Sequence, residues 1–294
     1  MRPVFLVIAD LSPCSQQAVA YAAALAAPLG GQLVLLNLET APILSADSGL
    51  VVIPQEYYDQ QQANVGTLQQ LAAQLPVPAV VESRDGMLFA ILSDAIRRWQ
   101  PQVLVLGLTP EHNVLEKLLA NEVLPALRDT GLPVLLVPEA AIQTPCLPRL
   151  VAIAVDEHLV QLNAAALALG PLLGSWHAAY CVVHIARPDA PADGSLHWAE
   201  AAVRRNGLLP ASAACTTYSV AHEPRGGGIV QAAHDVQADM LVLPVRPRSL
   251  MGRVFGLGVA EEVVRICSVP MLLLPTVEKQ EKMPAQPAEY RLAF

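Results

Sequence analysis

Basic charge is scarce in this chain, and in its first half most of all. Residues 1–146 hold 6 Lys and Arg against 13 Asp and Glu, a net of −7, while 147–294 hold 12 against 13, a net of −1. Such a balance excludes non-specific nucleic-acid binding, which needs basic surface to release counterions. Charge of either sign is low at 15%, against roughly 25% in an average domain, and 53% of residues are apolar. That composition builds cores and leaves little room for disorder. The five cysteines (Cys14, Cys146, Cys181, Cys215, Cys267) are odd in number and form no Cys-x-x-Cys pair. They make neither a disulfide framework nor a zinc site and fit a reducing, cytoplasmic setting. The seven histidines lack metal spacing, and no Gly-x-Ser-x-Gly elbow or nucleophile–base pair stands out. No catalytic residue and no metal ligand is therefore assigned, and no enzyme is expected. The apolar stretch 18–38 is cut by Pro28, Gly30-Gly31 and Gln32, so it reads as a helix followed by a strand and no membrane association is expected.

What the chain does contain, it contains twice. Val4-Phe5-Leu6-Val7-Ile8-Ala9-Asp10 opens the first half and Leu150-Val151-Ala152-Ile153-Ala154-Val155-Asp156 the second. Val103-Leu104-Val105-Leu106-Gly107 returns as Met240-Leu241-Val242-Leu243-Pro244, and Gly131-Leu132-Pro133-Val134-Leu135-Leu136-Val137-Pro138 as Ser268-Val269-Pro270-Met271-Leu272-Leu273-Leu274-Pro275. The offset is 146 between Asp10 and Asp156 but 137 between Pro133 and Pro270, so the second copy is nine residues shorter in its middle.

Short Val/Leu/Ile-rich runs alternate with helix-period segments, the pattern of a parallel sheet covered on both faces. Strands are expected at 4–9, 32–38, 79–83, 102–107 and 134–137, then at 150–155, 179–185, 214–220, 240–244 and 271–274. Helices are expected at 13–29, 57–74, 87–99 and 115–129, then at 159–173, 196–206, 227–236 and 258–267. Ser12 is placed to cap the first helix, with Pro13 in its first turn where a missing N–H is harmless. The fold class is α/β, two tandem five-stranded parallel-sheet Rossmann-like domains. They span 1–141 and 150–276, with a linker at 142–149 and a loose tail at 277–294.

In such a sheet the first strand lies centrally, and ligands bind beyond the strand ends where the strand order reverses. That point lies between Asp10 and the loop after Gly107 in the first copy, and between Asp156 and the loop after Pro244 in the second. Either aspartate serves as a hydrogen-bond partner for a ligand such as adenine or as a cap on the next helix. Gly226-Gly227-Gly228 has the look of a phosphate loop but lacks a following Lys-Ser/Thr, so a flexible helix start is expected. His177 and His184 share a strand region on opposite faces.

Over residues 1–276 the chain resembles the universal stress protein family in its tandem two-domain form. The strand ending in Asp, the Pro-Val-Leu-Leu-Val-Pro close and the segment between strands 4 and 5 carry the resemblance. It implies adenine nucleotide alpha hydrolase-like domains that pair through their last strands. It also implies, for some members, ATP bound by Gly-x2-Gly-x9-Gly-Ser/Thr after strand 4 and by the Asp after strand 1. Here Gly107 keeps its residue type, but Pro110, Ala120 and Asn121 stand at the other three positions. The second copy has Pro244, Pro247, Leu257 and Gly258. Each proline removes a potential donor, and a hydrogen bond to a charged phosphate is worth roughly 1.5–3 kcal/mol. Losing two turns micromolar affinity into roughly millimolar.

The second copy offers a different chemistry. Arg248, Ser249 and Arg253 lie in its loop, and Gly258 opens the next helix, so charge could hold a phosphate or carboxylate where glycines do not. The expected function is that of a non-catalytic stress-response regulatory or interaction protein with a degenerate nucleotide site in the first domain and, on the same reading, in the second. Its expected partners are a protein or self-association through domain pairing, with a small anionic ligand as a candidate and no resident cofactor. One alternative is a sensor holding ATP, another adenine nucleotide or an anion on Asp156, Arg248, Ser249, Arg253 and Gly258; Asp10, Gly107 and Asn121 are the matching candidates in the first copy. Another is a slow ATP hydrolase. If the last strands pair within the chain, further assembly must use another surface.

Overall fold

The computed structural model describes residues 2–39, 55–86, 88–109, 130–139, 145–155, 161–186, 195–205, 207–209, 213–245 and 259–277. The first half runs β1 (Val4–Ile8), α1 (Pro13–Ala26), β2 (Gln32–Glu39), α2 (Gln55–Ala73), β3 (Ala79–Asp85), α3 (Leu88–Trp99), β4 (Val103–Leu108) and β5 (Val134–Pro138). The second runs β6 (Leu150–Val155), α4 (Ala164–Leu167), α5 (Gly170–Ser175), β7 (Ala179–Ala186), α6 (Ser195–Arg205) and β8 (Cys215–Ala221). It continues with α7 (Arg225–Asp235), β9 (Met240–Val245), α8 (Val259–Ile266) and β10 (Met271–Pro275). The helix expected at 115–129 lies outside the described residues, as does the tail beyond Val277.

The ten strands form one sheet in the order β3-β2-β1-β4-β5-β10-β9-β6-β7-β8. Every pairing within a half is parallel, and the halves meet through an antiparallel β5–β10 pair. Leu136 faces Met271, Leu135 faces Leu272 and Val134 faces Leu273. Leu135 and Leu272 are equivalents in the repeat, so a local two-fold axis passes between them, the isologous geometry of a symmetric dimer held inside one chain.

Strands covered on both faces read as continuous apolar runs because alternate side chains enter different cores. Phe5, Val7, Leu33, Leu35, Val151, Ile153, Tyr180 and Leu272 belong to the core beneath α1. Leu6, Val34, Leu36, Leu104, Ala152, Val183, Leu241 and Met271 belong to the core on the other face. Both cores therefore draw on both halves.

Two local expectations change. Residues 159–173 do not form one helix: among the described residues α4 covers four residues and α5 begins again at Gly170. Pro171 accounts for the break, since it lacks an N–H and its ring clashes with the carbonyl four residues back. His177 does not sit on the strand with His184 but in a turn before it, at φ +52°.

Candidate functional site

In each half the strand order reverses beside the first strand, between β1 and β4 and between β6 and β9. The first crevice is bounded by the turn from β1 to α1. Ser12 caps α1, its Oγ accepting from Ser15 N at 3.3 Å, with Pro13 in the first turn. Asp10 holds the cap in place: its Oδ1 accepts from Ser12 N at 3.0 Å and from Ser12 Oγ at 2.6 Å. Asp10 N donates to Ser15 Oγ at 3.2 Å. Between them Leu11 adopts φ +64°, a left-handed conformation that costs a branched residue roughly 1–2 kcal/mol. The exposed carboxylate of Asp10 thus spends one oxygen on its own turn, and Oδ2 takes no hydrogen bond from the described residues.

Gly107 borders the crevice from β4. A Cβ there would lie 2.6 Å from both C and O of Cys14 and 2.9 Å from Ser15 N. Its missing side chain is accounted for by α1, whose first turn presses directly onto the strand. In the second half Pro244 stands in the equivalent place, opposite Leu274 as Gly107 is opposite Val137. Pro244 carries a ring where Gly107 carries no side chain. Among the described residues the helix that follows β6, α4, begins at Ala164, eight residues after Asp156, whereas α1 begins at Pro13, three after Asp10. The intervening Gln161–Asn163 runs beside the end of β10, with Val277 N donating to Gln161 O at 2.7 Å and Asn163 N to Pro275 O at 3.0 Å. Asn163 caps α4 through Oδ1 on Ala166 N at 2.8 Å, while its Nδ2 donates to Gly131 O of the first half at 2.7 Å.

The triple glycine opens α7 and is closely packed, where a flexible helix start had been expected. Gly227 N donates to Glu262 Oε1 at 3.0 Å, so a carboxylate from α8 already occupies this helix start. Cβ atoms would lie 2.5 Å from Glu262 Oε2 at Gly226 and 2.7 Å from His222 Cβ at Gly228. Besides Glu262, the first turn of α8 carries Glu261, paired with Arg265 at 3.1 Å. Two carboxylates near that helix start weigh against an added anion there.

Two buried polar positions lie at matching places in the halves, Asn37, which the sequence analysis did not single out, and His184, which it placed on a strand without a role. Asn37, near the carboxyl end of β2, lies with Nδ2 3.4 Å from Ser83 Oγ. At the matching place on β7, His184 is 2% exposed and stands in register with Val155 and Ser219. A polar residue interrupting Leu33–Leu38 or Val182–Ile185 is the signal that marks them. Of the candidates from the sequence, Asp10 and Gly107 face the first crevice. Asn121, Asp156, Arg248, Ser249, Arg253 and Gly258 lie outside the described residues. Among the described residues no three His, Cys, Asp or Glu side chains gather as a metal site, and no helix is long and apolar enough to cross a membrane.

The model of the universal stress protein family matches residues 1–138 and again 149–275. The chain belongs to the universal stress protein family. Its doubled form has solved counterparts. A universal stress protein from Archaeoglobus fulgidus is similar over 94% of this chain and 97% of its own, at 16% identity and a TM-score of 0.65. A putative universal stress protein from Pseudomonas aeruginosa covers 93% of each chain at 16% identity, with a TM-score of 0.56. At such identities the likeness shows the fold, here that of a tandem universal stress protein. No curated protein sequence matches it.

Proposed function

We propose that this tandem universal stress protein is a non-catalytic regulatory or interaction protein of the stress response whose two nucleotide crevices are degenerate. The observation that supports it best is at Gly107. This is the one position of the family's nucleotide motif that keeps its residue type in register, and its open side is filled by the backbone of Cys14 and Ser15. A glycine needed for helix packing is no argument for a phosphate cradle. Pro244 points the same way, because it offers no N–H where the second crevice would need one. Asp10 engages Ser12, and Glu262 serves the start of α7.

The domains of this reading are 1–141 and 150–276, and its setting is the cytoplasm. Adenine nucleotides are the ligands to test, because family members are solved with them: one in complex with cAMP and one from Arabidopsis thaliana with AMP bound. Mass spectrometry of small molecules released from freshly purified, denatured protein, together with calorimetric titration by ATP and AMP, decides the matter. An empty protein that gives no heat is the expected result. Near-stoichiometric adenine nucleotide overturns the proposal and makes the chain a sensor or a slow hydrolase.

A further inference from the structure

A sheet of ten strands has two edges, β3 and β8, and they are not alike. Among the described residues nothing pairs with the outer side of either. An exposed edge offers a row of free N–H and C=O groups to another strand, and proteins blunt it with charge, proline or an inward-facing ionised group. β3 is blunted in this way. Glu82 stands at its centre, in register with Leu36, and its carboxylate is buried. Trp99 Nε1 donates to it at 2.6 Å, Arg84 Nη2 at 2.6 Å and Arg98 Nη1 at 2.9 Å, and Asp85 ends the strand. A second β3 laid antiparallel would bring Glu82 opposite Glu82. On β8 the same central place, in register with Val183, is held by Tyr218. The whole run Cys215-Thr216-Thr217-Tyr218-Ser219-Val220-Ala221 has no charge, no proline and no glycine.

We propose that β8 is the docking edge for a second copy of this chain, the two β8 strands pairing antiparallel about Tyr218 so that one sheet continues through both molecules. The hydrogen-bond directions fit. Tyr180 N of β7 donates to Ala214 O at 2.9 Å, so the even-numbered backbone groups of β8 turn inward and those of Cys215, Thr217, Ser219 and Ala221 turn outward. About an axis at Tyr218, Thr217 meets Ser219 of the second copy and Cys215 meets Ala221. Those are the outward pairs, and together they make about eight hydrogen bonds. Tyr218 meets its own equivalent at the closely spaced, non-hydrogen-bonded position, where aromatic pairs are stabilising. Charge complementarity adds to this. α7 packs behind β8 with Arg225 in its first turn and Asp235 in its last. Antiparallel apposition brings the Arg225 end of one α7 toward the Asp235 end of the other. Asp235 is ionised there, its carboxyl held below the usual carboxylate range by hydrogen bonds from Tyr218 and Gln231. The seam between β5 and β10 shows that this sheet already joins antiparallel edges about a two-fold axis.

Sedimentation velocity across micromolar concentrations tests the assignment on the full chain. The wild type is expected to form a dimer. Ser219→Pro removes an outward N–H that the β7 ladder does not use, and Thr217→Lys sets a charge on the edge, so each is expected to abolish the dimer while the circular dichroism stays that of the parent. Val81→Pro on the opposite edge is expected to leave the dimer intact. A wild-type chain that sediments as a monomer throughout, or a dimer that survives both β8 substitutions, overturns the proposal.

Discussion

Gly107 shows how one missing methyl group sets the course of a helix. Its neighbours are backbone atoms of α1, which cannot turn aside as a flexible side chain would. Gly107→Ala is therefore expected to destabilise the fold by about 1–3 kcal/mol in denaturant unfolding, the cost of overpacking a close contact, with no ligand present. Unchanged stability would mean that α1 stands off β4 and that the glycine has another purpose. The sequence identified Gly107 and Asp10 as neighbours at the crevice, but not which of their sides were taken. The β4–α1 contact joins residues more than ninety positions apart, and no local pattern records it. Tyr180 is a second residue with a testable consequence. Burial pushes its phenol up to about 12, and its hydroxyl donates to Leu173 O at 2.8 Å. A folded-state value above the unfolded one, near 10, means that stability present below about pH 10 is lost as pH rises toward the folded value. Urea midpoints measured from neutral to alkaline pH are expected to fall in that window, and to fall less steeply in Tyr180→Phe.

At the scale of elements the sequence was most legible where periodicity speaks alone. All ten strands lie within two residues of their expected places, and the inner ones stand out as apolar runs because a strand buried on both faces must be apolar throughout. Ser12 and Pro13 announced the start of α1 through the local chemistry of a cap. Helices that depend on distant partners were harder to read. α4 and α5 divide at Gly170-Pro171, a break written in the sequence but outweighed by the apolar period on both sides. The three glycines of α7 make sense only once Glu262 arrives from α8 to accept from Gly227. The contrast between β3 and β8 is visible in composition, but it gains meaning only when the order of strands makes both of them edges.

At the scale of the whole molecule, neither core divides between the halves among the described residues. Each face of the sheet buries side chains from both halves, and the seam is fastened beyond the β5–β10 ladder. Trp176, at the C-terminal cap of α5, donates its buried Nε1–H to Leu25 O of α1 at 3.1 Å, and Asn163 reaches Gly131 O. The chain is therefore expected to unfold in a single calorimetric transition, its calorimetric and van't Hoff enthalpies agreeing, despite being a repeat of two family units. Trp176→Phe is expected to lower that transition as a whole by about 1 kcal/mol of stability. Two resolved transitions would show that the halves hold together only through their seam.

The two-fold axis between Leu135 and Leu272 carries a last consequence, which concerns inheritance. In a dimer of identical chains every substitution is made twice, and a change that helps one subunit burdens the other. Joining the subunits in one chain separates those fates. One half can keep a glycine under its first helix while the other takes a proline there; one outer strand can acquire a buried carboxylate while its counterpart acquires a tyrosine. At the pairs Gly107 and Pro244, Glu82 and Tyr218, a two-fold arrangement within one chain treats its two sides differently.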